Sequence, residues 1–461
     1  MWTLRARIAI PALFAMPCAS ISAYAQSDSN LQPPVLNPVG DPAGRVFSLV
    51  EIERIALAQQ PQMLSARAQT RIAEAGTGLA RAPLLPQVDA IAQYTRETGN
   101  YVTRPGAIPT TTNVMLAAPT TSLTQSYDYW NFGLTGTQLI YDFGQTYDKY
   151  HAARETEDAQ RATENATRFV VLSTVRAAYF VARSNKDLVD VARESLDDQE
   201  KHLTQVQGFV TVGTQPLIAL AQQKSAVATA RVQLITAQNN YEMSKAQLNQ
   251  AAGMHGGTNY DLGDENVLPV TGEDDPLASL LKEALKDRPE VASFVKQREA
   301  QEDTIGSAKG GYGPAFSAAA GLTAAGTALS GLVPNWSAGL ILNWPIFQGG
   351  LTVAQVHQAQ AVLSNIDALE DSELLQIQVQ VDTARLAVRG AKASLGAADD
   401  ALTNAREQLR LAEQRYSTGV GSIIELNDAQ VARTSAAAQL VQARYGVASA
   451  RAQLLAALGR P

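Results

Sequence analysis

From about Gln145 to Gln207, and again from about Leu351 to Tyr416, the chain runs in helical periodicity without a single proline. At ~1.5 Å per residue each stretch makes a rod of roughly 95–100 Å, for which a compact globular domain has no use. The second rod shows its packing face openly. Leu374, Val381, Val388, Leu395, Leu402, Leu409 and Tyr416 recur every seventh residue, with Ile377, Ala384, Ala391, Ala398, Ala405 and Ala412 between them. This 3-4 seam of large and small residues is the pattern of a left-handed coiled coil. The first rod repeats it 206 positions earlier as Val175, Ala182, Val189, Leu196 and Leu203, with Val171, Ala178, Ala192 and Val206 between; Asn185 and Gln199 interrupt that copy.

Each rod ends in a tight reversal. Gly213-Thr214 closes the first, and Gly419-Val420-Gly421-Ser422 the second, where the glycines tolerate positive φ and Ser422 is placed as an N-cap. Just inside the returning helix, Glu425 and Asp428 sit three apart and share one face. Two readings of this pair are open. Acids in a first turn favour a helix N-terminus in any protein; repeated around a pore by symmetry, they would form a negative ring that favours cations and responds to acid or divalent ions.

The chain is an internal duplication, with repeats expected over 48–253 and 277–459. Ala58-Gln59-Gln60-Pro61 matches Lys286-Asp287-Arg288-Pro289, and Pro86 matches Pro314, both offset by 228 positions. Leu248 to Gly253 matches Leu454 to Gly459 at an offset of 206. The shortening of that offset puts extra residues in the Thr/Pro-rich stretch Thr98 to Thr124, expected to be a long exposed loop.

Four segments alternate with period two, at about 86–97, 127–142, 314–325 and 335–347. Val88, Ala90, Ala92 and Tyr94 oppose Gln87, Asp89 and Gln93. Trp130, Phe132 and Leu134 oppose Asn131, Gly133 and Thr135. Phe316, Ala318, Ala320 and Leu322 alternate with Ser317, Ala319, Gly321 and Thr323, while Trp336, Ala338, Leu340, Leu342 and Trp344 oppose Ser337, Gly339 and Asn343. Apolar residues facing one way and small or polar residues the other, over about ten residues, is the signature of a membrane β-barrel strand, although a soluble sheet alternates too. Trp130 and Trp336 near one end, and Tyr141 and Trp344 near the other, suit aromatic girdles. Four strands cannot close a barrel, which needs about eight. Closure therefore demands several chains, and three would supply twelve strands.

Residues 1–25 read as a secretory signal: Arg5 and Arg7, the apolar run Ile8 to Met16, and Ala23-Tyr24-Ala25 as a cleavage site. Lipid attachment at Cys18, the single cysteine, is the competing reading, but Met16-Pro17 fits the required motif poorly. No later segment offers about eighteen consecutive apolar residues, so a membrane-spanning form must be a barrel. The formal charge of −7, −9 once the two arginines are removed, argues against nucleic acid.

Taken together, these features resemble the TolC family, the outer-membrane efflux proteins of Gram-negative bacteria. The resemblance spans essentially all of residues 26–461. It rests on the duplicated plan, on the glycine tips, and on Leu139-Ile140-Tyr141-Asp142-Phe143-Gly144 and Trp344-Pro345-Ile346-Phe347-Gln348-Gly349-Gly350 at strand-to-helix junctions. It implies an α+β membrane protein: a trimeric twelve-stranded β-barrel, four strands per chain, continuous with a long periplasmic α-helical coiled-coil barrel. The implied role is the outer-membrane exit duct of a tripartite efflux system. Its partners would be two further copies of the chain, outer-membrane lipid, a periplasmic adaptor docked at the tips, and an inner-membrane pump. Tyr416, Glu425 and Asp428 would form the periplasmic gate, and Gly213, Thr214, Gly419, Val420, Gly421 and Ser422 the docking tips. Gly421 stands where TolC has an arginine, and Ala219 where it has an aspartate. Those departures point to a mouth held by coiled-coil packing and by the Glu425/Asp428 rings.

Other function classes receive less support. His151, His202, His255 and His357 belong to no metal-ligand pattern and read as solvated helix or loop residues. No nucleophile elbow, Walker A or dinucleotide fingerprint occurs, so neither an enzyme nor a cofactor or metal is expected. An exported coiled-coil scaffold would explain the heptads but not the strands. Among cargoes, no His- or Met-rich tract suggests a metal, and the second-tip glycine turn resembles that of general efflux ducts, which puts small molecules first and type I protein secretion second.

Overall fold

The computed structural model describes residues 44–98, 126–265 and 269–460. The expected signal segment with Cys18 and nearly all of the expected Thr98–Thr124 loop lie outside them. Among these residues, ten helices and a four-stranded sheet carry the architecture, in two successive halves. The first half runs α1 (Leu49–Gln59), α2 (Pro61–Arg81), β2 (Gln87–Thr98), β3 (Ser126–Tyr141), α3 (Gln145–Thr211) and α4 (Leu217–Ala252). The second repeats it as α5 (Leu277–Asp287), α6 (Pro289–Gly310), β5 (Ala315–Gly326), β6 (Val333–Asn343), α7 (Leu351–Ser417) and α8 (Ile423–Ala457); the remaining two helices are single 3-10 turns. Short strands β1 (Val46–Phe47) and β4 (Asp261–Leu262) pair in parallel beside α3.

Both rods are 67 residues long, or about 100 Å. Each leaves the sheet through a left-handed glycine, Gly144 (φ +88°) or Gly350 (φ +86°). Asp142, buried at the first junction, accepts a hydrogen bond from Thr146 N (2.9 Å) and satisfies a donor of the opening turn of α3. The return helices α4 and α8 cover the far half of each rod, and α2 and α6 cover the half nearer the sheet.

The halves meet the short helices at matching joints. Pro61 and Pro289 each open a helix at its first residue, where a missing N–H costs nothing. Gly253 (φ +66°) packs on Gln60, where an added Cβ would lie 2.7 Å from the backbone; Gly459 (φ +71°) packs on Arg288 with 3.1 Å. These close approaches are the physical content of the matching Pro61/Pro289 and Gly253/Gly459 motifs. Around them sit two apolar cores. Ile52, Val175, Tyr179, Phe180 and Leu248 lead the first, and Leu280, Ile377, Val381, Val388 and Leu454 the second.

Glu273 pins the second core. Its carboxylate receives Arg451 of α8 through two bonds of 2.9 Å, Lys392 of α7 at 2.7 Å, and Val270 N at 3.0 Å. Burial pushes its pKa up, but the bonds from Arg451, Lys392 and Val270 outweigh that and hold it down to about 2. A depressed folded-state value means stability that is complete above the unfolded value of 4.5 and is lost as pH falls toward about 2. Glu273→Gln is therefore expected to cost roughly 3 kcal/mol near neutrality and to flatten the acid limb of the unfolding curve. Chemical denaturation at several pH values checks this. An unchanged acid limb would show that the carboxylate is not what titrates there.

Candidate functional site

The sheet order is β2-β3-β5-β6, antiparallel throughout. Register decides which faces coincide. Ala90, Leu134, Leu322 and Trp336 lie side by side across the four strands, as do Asp89, Thr135, Gly321 and Ser337. All four alternating patterns thus present their apolar sets on one face. The register slips between Leu139 and Tyr141, so Tyr141 pairs with Phe316 and joins that face. Trp130 and Trp336 fall toward one end and Tyr141 toward the other. β6 stops at Asn343, short of the expected 347. Trp344 therefore lies just past it, its Nε1 donating to the Tyr312 carbonyl (3.2 Å). β2 and β6 are edges with no further strand among the described residues, and every residue of β6 is exposed.

At the other end, about 100 Å away, the two tips are built alike. In the first, Gly213 is left-handed (φ +79°), and Thr214 donates through both N and Oγ1 to the Phe209 carbonyl at 2.9 Å. In the second, Gly419 is left-handed (φ +76°), and Val420 N and Gly421 N both donate to the Arg415 carbonyl (3.1 and 2.8 Å). A Cβ on Gly421 would stand 2.9 Å from Tyr416 N. This turn admits no side chain there. Ser422 caps α8 by accepting from Glu425 N at 3.2 Å. Around the turns Val212, Leu217, Ile218, Val420 and Ile424 are exposed.

The residues expected at the gate separate into two environments. Tyr416 is 3% exposed, packed among Val206, Ala219, Ala412, Leu426 and Ala429, with its ring edge-on to Phe209 (6.0 Å). Its heptad position explains this, because it closes the coiled-coil seam. Its buried hydroxyl has no hydrogen-bond partner among the described residues, and burial pushes the phenol up. Glu425 is half-buried and pairs with Arg415 Nε across the turn at 3.2 Å, while Asp428, one turn further on, is exposed. Arg415 thus places a cation beside Glu425. Sequence reasoning did not assign it that role; its partner becomes visible only once the turn is closed.

His202, expected to be solvated, has a side chain only 14% exposed. Its Nε2 faces Glu413 Oε1 of α7 at 3.7 Å. Nearby, Gln199 donates to Gln430 (2.7 Å) and accepts from Gln223 (2.7 Å), all three buried. Among the described residues, no group of three or more His, Cys, Asp or Glu stands close enough to hold a metal ion, and no helix is long and apolar enough to cross a membrane.

Residues 54–254 and 280–460 match the family model described as outer membrane efflux protein. The chain belongs to that family. As an outer membrane efflux protein it is 28% identical over 328 residues to the toluene efflux pump outer membrane protein TtgF of Pseudomonas putida; the match covers 69% of this chain and 66% of that one. It is 25% identical over 432 residues to outer membrane protein TolC of Escherichia coli, covering 89% and 82%. The crystal structure of the Campylobacter jejuni CmeC outer membrane channel superposes with a TM-score of 0.75 at 19% identity, covering 89% of this chain and 85% of that one. The shared fold includes the sheet and the long rods.

Proposed function

We propose that this outer membrane efflux protein is the passive exit duct of a tripartite pump, three copies closing a twelve-stranded barrel above a helical tunnel. The observation that carries the reading is the sheet: one face apolar across all four strands, two unpaired edges, and rods of about 100 Å leaving its far side. An apolar face suits lipid, and open edges in lipid must be paired, which a second and third copy do. The rods carry a matching surface. Val362, Leu369, Leu375, Val379 and Leu386 remain exposed on α7, as do Val232, Ile235 and Met243 on α4. Neighbouring copies would bury them. The exposed apolar tips suit a periplasmic adaptor that links the duct to an inner-membrane pump. Small organic molecules are the proposed cargo, as the toluene-pump relative supports.

In this assembly Glu425 and Asp428, repeated threefold, line the mouth, with Arg415 offsetting part of the charge of Glu425. Planar-bilayer recording of wild type against Glu425→Ala/Asp428→Ala tests it. Wild type should pass a small, cation-selective current, and the double variant a larger and less selective one. Identical currents would make the two acids helix-start residues and place the constriction elsewhere. Absence of any channel from the wild type would sink the barrel.

A further inference from the structure

The seam between the two hairpins changes character along α3. Toward the sheet, Val175, Tyr179 and Ala182 share an apolar cluster with Tyr445 and Ala452 of α8. Between this cluster and the apolar one at the tip, where Val206, Phe209 and Ala219 meet Tyr416, Leu426 and Ala429, the contacts are polar. Ser195 meets Thr434 (3.3 Å), Glu194 and Asp198 hold Arg433, Gln199 meets Gln430, and His202 meets Glu413 of α7. Such pairings exchange with water at small net cost, so this middle stretch of the seam depends on partner chemistry, while buried apolar side chains hold the tip just beyond it. Of these groups only an imidazole ordinarily changes charge between about pH 5 and 8.

His202 is placed to use that change. It opens onto a cavity of about 470 Å³ shared with Gln205, Arg410, Glu413 and Tyr416. Its Nδ1 stands 3.4 Å from Gln205 Oε1 on its own helix, and its Nε2 faces Glu413. The charges around it are few. From α7 come Glu413 and Arg410, and Arg410 is engaged by Glu407 at 2.6 and 2.8 Å. From α8 comes the apolar Leu426, with Arg433 further along and held by Asp198 and Glu194. α4 adds no charged side chain to the cavity.

We propose that His202 and Glu413 form a proton-operated clasp, resting on the duct reading above. With the imidazole neutral, His202 and Glu413 meet through a weak contact. Protonation makes Nε2–H a cationic donor to the Glu413 carboxylate, and the charge-assisted bond draws α7 against α3. The sign follows directly: acidification through the neutral range tightens the mouth, and alkaline conditions loosen it.

The test is conductance of the full-length protein in planar bilayers from about pH 8 to about pH 5. Wild type should lose about fivefold in conductance across that window, and both His202→Gln and Glu413→Gln should hold their alkaline conductance throughout. The double variant should match either single one, because the two groups act as one pair. Glu425→Ala/Asp428→Ala should keep the neutral-range step. A step that survives unchanged in both single variants overturns the clasp and leaves the duct intact; two independent single variants, of which Glu413→Gln is isosteric, guard against one that does not assemble. A wild type that conducts at no pH overturns the duct and the clasp together.

Discussion

Tyr416→Ala is expected to unlock the tip, raising conductance and exposing the turn to proteases, while Tyr416→Phe should leave the mouth closed. The ring is 3% exposed and fills the space between Phe209, Val206, Ala219 and Leu426. Truncating a buried aromatic to alanine costs about 3–5 kcal/mol, and the trimeric duct would lose that three times over. The hydroxyl acts in the other direction. Burying it without a partner costs about 1–3 kcal/mol, so the phenylalanine variant should be as stable as wild type or more stable by about 1 kcal/mol. Thermal unfolding and bilayer recording on both variants check the pair of outcomes. A phenylalanine variant as open as the alanine one would mean that the hydroxyl finds a partner in the assembled duct, and that a polar lock closes the mouth.

The second large effect concerns the face of the sheet. Leu340 is 80% exposed near the middle of β6, on the face shared with Trp336 and Leu322. An arginine at the mid-membrane level of a barrel costs about 2–4 kcal/mol, and each trimer would carry three. Leu340→Arg should therefore be lost from the outer-membrane fraction and lack the heat-dependent shift in gel migration that a closed barrel shows. Ser337→Arg, on the opposite face, should still insert and assemble, and should weaken cation current by placing three positive charges along the lumen. The reverse result, a tolerated Leu340→Arg beside an excluded Ser337→Arg, would invert the assignment of lipid and lumen faces.

Much of this architecture is written in local spacing. A seven-residue repeat without proline makes a rod whatever its neighbours do, and alternation of period two marks the two faces of a strand. The glycine tips were legible for a similar reason: residues such as Gly213 and Gly419 occupy a conformation that costs other residues more. The matching Gly253 and Gly459 could be seen in the sequence, but not what they touch. Their purpose became clear only with Gln60 and Arg288 packed against them.

The site residues divide along the same line. The sequence by itself determined that Glu425 and Asp428 share a helix face, that Tyr416 ends a heptad seam, and that four strands carry apolar sets. Tertiary structure alone decided that those sets align on one face, that a register slip near Ile140 turns Tyr141 onto it, and that Arg415 reaches Glu425. It also decided that His202 meets Glu413, a residue more than two hundred positions away. The physical reason is range. Periodicity and capping are set by bonds within a few residues of each position. Which side chains meet across helices is set by how two long hairpins dock, and that depends on the summed packing of both cores.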